Sequence, residues 1–244
     1  MPQPLPAHIQ MALDEVLLDR LIAGRRTPTL RFWEWSEAAL ILGSNQVLAN
    51  EVDVDLAQDL GFVVARRMSG GGTMIVEPGR TVTYSLYAPQ SLVSGLSLVE
   101  SFAFFDAWAV DCLRKLGVPA DYRPINDIVS PLGKIGGAAQ ARRRGSVLHH
   151  TVIAYAMDTA LVPRLIRIGR DPLSARGVRS AEKVVSPLDR WLTLGRDQIV
   201  SALATCFTET HAARAGSIDR GDLVAARDLA AHKYSTREWI DRIT

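Results

Sequence analysis

Two arginines, a serine and three consecutive glycines stand together in the run Arg66-Arg67-Met68-Ser69-Gly70-Gly71-Gly72-Thr73. Glycine loses more backbone entropy on folding than any other residue, so three in a row indicate a loop whose backbone must approach a ligand closely. Backbone N–H groups, guanidinium groups and a hydroxyl are donors that suit an anionic ligand. The run therefore predicts an anion-binding loop; a flexible hairpin with solvated arginines is the alternative that this pattern leaves open.

A lysine followed by small residues marks a second candidate site, in Gly133-Lys134-Ile135-Gly136-Gly137-Ala138-Ala139-Gln140. Glycine and alanine leave room for a ligand, and the ammonium group supplies a mobile point charge. Asn126-Asp127 precedes this run, and His149-His150 follows it in a predicted strand. Neighbouring residues of a strand point to opposite faces, so the two histidines cannot bind one metal ion together. At most one histidine faces a site, and we predict no structural metal.

A polar stretch later in the chain, Ala175-Arg176-Gly177-Val178-Arg179-Ser180-Ala181, carries two arginines around a glycine. The pattern fits a flap over a ligand and a plain connector equally well.

Composition excludes several classes of protein. The 244 residues are 48% hydrophobic and 22% charged with a formal net charge of +2, which indicates a folded globular chain without an extended nucleic-acid-binding surface. There is no signal-peptide pattern and no apolar run near the ~18 residues that a membrane span needs. Cys112 and Cys206 lie in helical patterns and are assigned to the core, so a reduced, cytoplasmic location is expected.

The spacing of apolar residues predicts interspersed helices and strands. Helices are predicted at 9–21, 52–60, 97–116, 197–212 and 221–231, and strands at 29–35, 39–42, 62–65, 81–88 and 147–155. In the first helix, Asp14 and Glu15 are assigned to faces away from the apolar stripe. No linker divides the chain, so residues 1–244 are predicted to form a single domain. The lack of strict alternation favours an α+β fold with a central mixed or mostly antiparallel sheet and flanking helices.

In this order and spacing, the three motifs resemble the catalytic domain of the lipoate-protein ligase A family, within the larger group of biotin and lipoate ligases and lipoyl or octanoyl transferases. The similarity extends over nearly the whole chain, to Trp33-Glu34-Trp35, Gly43-Ser44-Asn45-Gln46, Gly177-Val178-Arg179-Ser180 and Lys233-Tyr234-Ser235. It implies a central sheet like those of biotin ligase and class II aminoacyl-tRNA synthetase catalytic domains.

The resemblance also implies a two-step reaction. The carboxylate of lipoate, or of octanoate, attacks the α-phosphate of ATP to give acyl-adenylate and pyrophosphate, with Mg²⁺ present. A lysine of a lipoyl carrier domain, belonging to a 2-oxoacid dehydrogenase complex or to the glycine cleavage H protein, then attacks the acyl carbonyl. Neither nucleic acid nor a membrane is an implied partner.

Site residues follow from matching positions. Lys134 is implied as the catalytic residue that reaches the acyl carbonyl and the phosphate, and it acts as a fixed charge and not as a base. The implied lipoyl-binding residues are Arg67, Ser69, Gly70, Gly71, Gly72, Thr73 and His150. The implied nucleotide-binding and adenylate-binding residues are Asn126, Asp127, Gly136, Gly137, Ala138, Gly177, Val178, Arg179 and Ser180, with Asp127 also as a Mg²⁺ ligand.

Departures from the family pattern keep alternatives open. The C-terminal accessory domain of many such ligases is absent, which predicts a separate accessory subunit or use of preformed adenylate. Thr151 replaces a usual glycine, and Ile135-Gly136 replaces a longer Lys-Ile-Ser pattern, so the acyl group is not fixed. The main rival is octanoyl transfer from acyl carrier protein through a cysteine thioester, which neither cysteine fits. Biotin ligation is weaker because its loop usually reads Arg-Gly-Arg-Gly, and a non-catalytic protein that binds acyl-adenylate or carrier domains is the alternative from a different class.

Overall fold

The computed structural model describes residues 3–244, which fold around two sheets. The strands are β1 (Pro4–Leu5), β2 (Thr29–Trp35), β3 (Ala39–Leu42), β4 (Val63–Arg66), β5 (Met74–Val76), β6 (Thr81–Pro89), β7 (Asp121–Arg123), β8 (Asp127–Ser130), β9 (Gly133–Arg143) and β10 (Ser146–Ala154). The larger sheet has the order β1-β2-β6-β10-β9-β8-β7, and only its β1–β2 pair is parallel. The smaller sheet, β4-β3-β5, carries the loop of residues 66–73, called here the glycine loop.

Helices cover both faces of the larger sheet. They are α1 (Ala7–Ile22), α2 (Leu48–Glu51), α3 (Val54–Asp59), α4 (Leu98–Lys115), α5 (Val162–Leu165), α6 (Arg196–His211), α7 (Arg220–Leu229) and α8 (Arg237–Ile240). Helix α1 packs on one face, with α7 behind it, and α4 and α6 pack on the other. None of the helices in the described part of the chain combines the length and apolar character needed for a bilayer span.

The predicted α+β class with a mostly antiparallel central sheet is confirmed. The predicted helix at 52–60 is wrong in its boundaries. Val52 is extended and ends α2, Asp53 caps the start of α3, and the helix within this segment runs only from Val54 to Asp59. Strands β1, β5, β7, β8 and β9 were not predicted. Three residues are too few to show a period in β5, and β9 mixes glycine, alanine and arginine without regular alternation.

Polar residues of α1 depart most from the prediction. Asp14 and Glu15 were assigned to outward faces, but both side chains are buried, because α1 lies between the larger sheet and α7 and is covered on nearly all sides. Each carboxylate is paired inside the protein, Asp14 with Arg31 and Glu15 with Lys233. Cys112 is buried as predicted, whereas Cys206 is only partly buried.

Candidate functional site

The glycine loop is held in place by the side chain of Arg67. Its guanidinium group donates to the carbonyl oxygens of Ile41 (3.0 Å), Gly70 (2.6 Å) and Gly72 (2.8 Å), and to the hydroxyl of Ser69 (3.1 Å). The loop is therefore a fixed structure, unlike the flexible hairpin that the sequence left open.

The guanidinium of Arg67 carries an uncompensated charge. Arg67 is buried, and none of the carboxylates in residues 3–244 forms a salt bridge with it. Burial, and to a lesser degree the charge of Arg66, lowers the pKa of Arg67 to about 9, so the group stays cationic at neutral pH. A buried cation with only neutral acceptors favours an anionic ligand beside it.

Arg66 has a scaffolding role and is not available to a ligand. It donates to the carbonyl oxygens of Gly43 (2.8 Å), Gln46 (2.7 Å) and Ile240 (2.8 Å), and so ties the turn after β3 to the last helix. The turn and the glycine loop touch directly, since a Cβ atom on Gly43 would lie 2.0 Å from the carbonyl oxygen of Gly71.

The segment 177–180, called here the cover segment, packs against the glycine loop. The backbone N–H of Thr73 donates to the Ser180 hydroxyl (2.8 Å), and Ser180 also bonds to the carboxylate of Glu51. Gly177 has a φ of 82° and lies too close to Val47 for a side chain. Two stretches about a hundred residues apart in sequence therefore meet, as a flap over the loop requires.

A buried relay connects the glycine loop to α1. His150 Nδ1 lies 2.8 Å from Asp14 Oδ2, and its Nε2 lies 2.6 Å from the hydroxyl of Ser69. Burial opposes ionisation of Asp14, but the hydrogen bond from His150 and the charge of Arg31 outweigh it and lower its pKa to about 2. Because Asp14 is thus a carboxylate at neutral pH, Nδ1 of His150 carries the proton and Nε2 accepts from Ser69.

His150 and His149 serve opposite faces of the sheet, as the strand pattern predicted. His149 Nε2 lies 2.8 Å from Asp106 of α4, in a separate buried cluster beneath the other face. Only His150 faces the glycine loop.

Lys134 and a second lysine converge on one carboxylate. Asp127 Oδ1 is 2.7 Å from Lys134 Nζ, and Asp127 Oδ2 is 2.9 Å from Lys183 Nζ. Asp127 is partly desolvated, but the charges and hydrogen bonds of the two lysines lower its pKa. The cluster therefore holds one negative and two positive charges, a net excess of one cation.

Small residues of β9 join this cluster to His150. Asp127 pairs with Gly137, and His150 pairs with Ala139, so all four residues lie on the face of the sheet that α1 covers. Gly137 and Ala139 are about 7 Å apart along the strand. The same face therefore carries Lys134, which lies beside Gly137 and Asp127, and the glycine loop, which His150 contacts through Ser69.

Gly137 provides the space that Lys134 occupies. A Cβ atom added at Gly137 would lie 2.5 Å from Lys134 Nζ, whereas a Cβ at Gly216 would meet nothing within 4 Å. We expect Gly137→Ala to displace the flexible lysine tip, reducing catalytic rate about 10-fold while the melting temperature stays unchanged or rises. Gly216→Ala is the matched control; equal rates for both variants would contradict this placement of Lys134.

Other predicted site residues take different positions. Asn126 donates to the carbonyl oxygen of Ala138 and joins β8 to β9. Gly136 and Ala138 belong to the opposite face, so a contact of either with a nucleotide rests on the backbone alone and stays a prediction. Arg179 turns away from the glycine loop and donates to the carbonyl oxygen of Arg167 (3.3 Å).

Comparison with known proteins decides the family. Residues 6–208 match the model of the lipoyl protein ligase A/B catalytic domain. The chain belongs to the lipoyl protein ligase A/B family. One relative in this family is an octanoyltransferase LipM of Kyrpidia tusciae, 30% identical over 96% of this chain and 94% of the relative.

Two solved structures of lipoate ligases have the same fold as this family member. A lipoate-protein ligase A bound with ATP superposes with a TM-score of 0.81 at 25% identity, covering all of this chain and 97% of the other. The bipartite lipoate protein ligase of Thermoplasma acidophilum, studied together with its E2 lipoyl domain, gives a TM-score of 0.81 at 25% identity, with coverages of 100% and 95%.

Three polar residues of this ligase-family site had not been predicted from the sequence: Asp14, Glu51 and Lys183. Asp14 stands among apolar residues of α1, and a buried acid in that position shows no signal beyond the helical period. Lys183 could have been noticed, because the chain has only four lysines, at positions 115, 134, 183 and 233.

The relay makes the stability of this family member depend on pH. Burial lowers the pKa of His150, so the folded state loses stability as pH falls below 6.5, where an unfolded histidine takes up a proton. The depressed pKa of Asp14 adds a second loss, of about 2 kcal/mol, between pH ~4 and ~2. We expect denaturant unfolding of His150→Gln to show a shallower pH slope than the wild type between pH ~6.5 and ~5; equal slopes would contradict the assignment.

Proposed function

We propose that this chain is a lipoate-protein ligase that activates lipoate or octanoate with ATP and transfers the acyl group to a lysine of a lipoyl carrier domain. In the first step a carboxylate oxygen attacks the α-phosphorus and pyrophosphate leaves. In the second step the lysine amine attacks the acyl carbonyl and AMP leaves with that oxygen.

One observation carries this proposal: the candidate site presents fixed cations but no thiol. Cys112 packs with Ile128 and Ile153 beneath the face of the sheet opposite to Asp127, and Cys206 packs against the same group. Burial raises the pKa of Cys112 to about 12, which leaves it a thiol and a poor nucleophile. The chain has no third cysteine. A route through a cysteine thioester therefore lacks its nucleophile, whereas adenylation needs no nucleophilic side chain.

Arg67 suits the carboxylate of the acyl substrate. Its charge is buried without an anionic partner, and the carbonyl groups that hold it cannot neutralise it. A carboxylate placed over the glycine loop would receive that charge together with backbone N–H groups of the loop. The relay through His150 directs the Ser69 hydrogen away from the ligand and leaves the hydroxyl oxygen to accept from Arg67.

Lys134 suits the charge that develops in both steps. Negative charge grows on the phosphoryl oxygens in the first step and on the carbonyl oxygen in the second, so one positioned ammonium group stabilises both transition states. Asp127 holds this ammonium group in position, at 2.7 Å from its Oδ1. Lys134 acts as a fixed cation and not as a base.

The role of Asp127 as a Mg²⁺ ligand stays a prediction, and the hydrogen bonds that Asp127 makes do not fit it. Both of its oxygens accept from ammonium groups, and a metal ion would have to displace one of them. Among the described residues, no three His, Cys, Asp or Glu side chains converge as a metal site. In this proposal no step passes through a protein-bound Mg²⁺.

The bipartite ligase of Thermoplasma acidophilum supports the choice of partners. We propose a lipoyl domain of a 2-oxoacid dehydrogenase complex as the acceptor, with the glycine cleavage H protein as a second acceptor, and a separate accessory subunit that assists adenylation.

Lipoate-dependent exchange of pyrophosphate into ATP tests the proposal, first with the purified chain and then with an accessory subunit added. Exchange, followed by acylation of an added lipoyl domain, is the expected result. Absence of exchange under both conditions, with no acylation from synthetic lipoyl-adenylate, would refute the ligase.

The LipM relative favours octanoyl transfer from acyl carrier protein as the second candidate function. This route predicts octanoyl transfer without ATP and its loss in a Cys112→Ser, Cys206→Ser double variant. We expect no such transfer, and unchanged ATP-dependent acylation by the double variant.

A further inference from the structure

We propose that Lys183 is a second phosphate-binding residue of this site, which contacts the outer phosphates of ATP and the departing pyrophosphate. The proposal rests on the proposed ligase function and extends it, since Lys134 alone would otherwise serve the whole triphosphate.

The first observation is that Asp127 bridges two ammonium groups. Its oxygens lie 2.7 Å from Lys134 Nζ and 2.9 Å from Lys183 Nζ, while the carboxylate itself is buried. Structural neutralisation of one carboxylate needs only one cation. The second ammonium is therefore available to an incoming anion, and Lys183 is the more exposed of the two side chains, at 42% against 29%.

The second observation is that both cations on Asp127 are lysines, although most basic residues of the chain are arginines. The chain has four lysines among its 28 basic residues, the other 24 being arginines, and two of these four meet on one carboxylate. Lysine is a compact point charge on a flexible stem, which can leave one oxygen and follow another. Arginine would hold Asp127 in a fixed bidentate pair.

The third observation is that the backbone beside Lys183 is fixed to β9. Lys134 N–H donates to the carbonyl oxygen of Val184, and Ser186 N–H donates to that of Lys134, both at 2.8 Å. Gly133 permits this contact, because a Cβ atom there would lie 2.4 Å from the Val184 oxygen. The two lysines are thus parts of one rigid unit.

The fourth observation is a cavity next to Lys183 that Lys134 does not reach. It has a volume of about 290 Å³ and is lined by Lys183, Arg190 and Glu182 together with mostly apolar residues of 159–168 and 184–185. Two cations against one carboxylate leave it with a net positive charge. An anion the size of pyrophosphate fits this volume, and in this proposal it contacts Lys183 and Arg190.

These positions predict that loss of Lys183 slows adenylation but not transfer of the acyl group from the adenylate. Lys183 contacts phosphates that are present only in adenylation, so Lys183→Ala should lower lipoate-dependent pyrophosphate exchange at least ~10-fold and weaken ATP binding by a similar factor in calorimetry. Transfer from synthetic lipoyl-adenylate should stay within about 2-fold of the wild type, because the adenylate carries only the α-phosphate. Lys183→Arg should recover part of the exchange, and the exposed Lys115→Ala is the control.

Retention of wild-type exchange and ATP binding by Lys183→Ala would overturn the proposal. An equal loss of exchange and of transfer from adenylate would also overturn it, since a merely structural role affects both. A wild-type chain that neither exchanges pyrophosphate nor transfers from adenylate would instead remove the ligase function on which the proposal rests.

Discussion

Replacement of Lys134 by alanine is expected to slow both half-reactions at least ~100-fold, the magnitude associated with loss of one oxyanion donor. The ammonium group lies beside Gly137, on the face that also carries His150. In the proposed reaction, the acyl carbonyl and the α-phosphate meet at this ammonium group. Lys183 cannot replace it, because it approaches Asp127 from the other carboxylate oxygen. Pyrophosphate exchange and transfer from lipoyl-adenylate, each measured at saturating substrate, check this prediction.

The fold of the Lys134→Ala variant should be unaffected. Asp127 keeps Lys183 as its partner, so no buried carboxylate is left unpaired and the melting temperature should stay near that of the wild type. Lys115→Ala, at the exposed end of α4, is the control for loss of a lysine elsewhere. Turnover near the wild-type rate in Lys134→Ala would refute the role given to this residue.

Arg67→Lys is expected to reduce kcat/KM for lipoate by roughly 100-fold or more, although the charge is conserved. The guanidinium serves four acceptors at once, at Ile41, Ser69, Gly70 and Gly72, and a lysine has only three donors on one nitrogen. The loop that receives the carboxylate would therefore shift, and a misplacement of about 1 Å can cost roughly 100-fold in rate. Steady-state kinetics with lipoate as the varied substrate measure it.

Arg214→Lys, in an exposed loop, is the matched control for this conservative exchange. Calorimetric titration of lipoate separates binding from chemistry, and we expect the loss to appear already in the dissociation constant. Unchanged affinity for lipoate in Arg67→Lys would show that the glycine loop does not hold the carboxylate.

Local motifs of this site were recognisable in the sequence because they lie on continuous stretches. The glycine loop, the Lys134 run and the cover segment each contain glycine, which indicates a backbone that bends sharply or approaches another group closely. The order of these three stretches in the chain carries the resemblance to the family. The opposite orientation of His149 and His150 followed from strand geometry alone and is confirmed.

Partners that come from distant elements were not recognisable. Asp14 contacts His150 because α1 packs on β10. The helical spacing of apolar residues alone predicts that an acidic residue of α1 faces outward. Lys183 reaches Asp127 only because its segment docks onto β9, and Gly133 is the one local hint of that contact. Such residues depend on tertiary packing, which composition and spacing do not encode.

The fate of the carboxylate oxygen of lipoate tests most directly the central claim, that the reaction passes through a lipoyl-adenylate. Lipoate labelled with oxygen-18 in its carboxyl group is incubated with ATP, the chain, its accessory subunit and a lipoyl domain, and the AMP is analysed by mass spectrometry. Attack of the carboxylate on the α-phosphorus predicts AMP that carries one oxygen-18 atom for each lipoyl group transferred. Acylated domain together with unlabelled AMP, or with no AMP, would contradict formation of a lipoyl-adenylate.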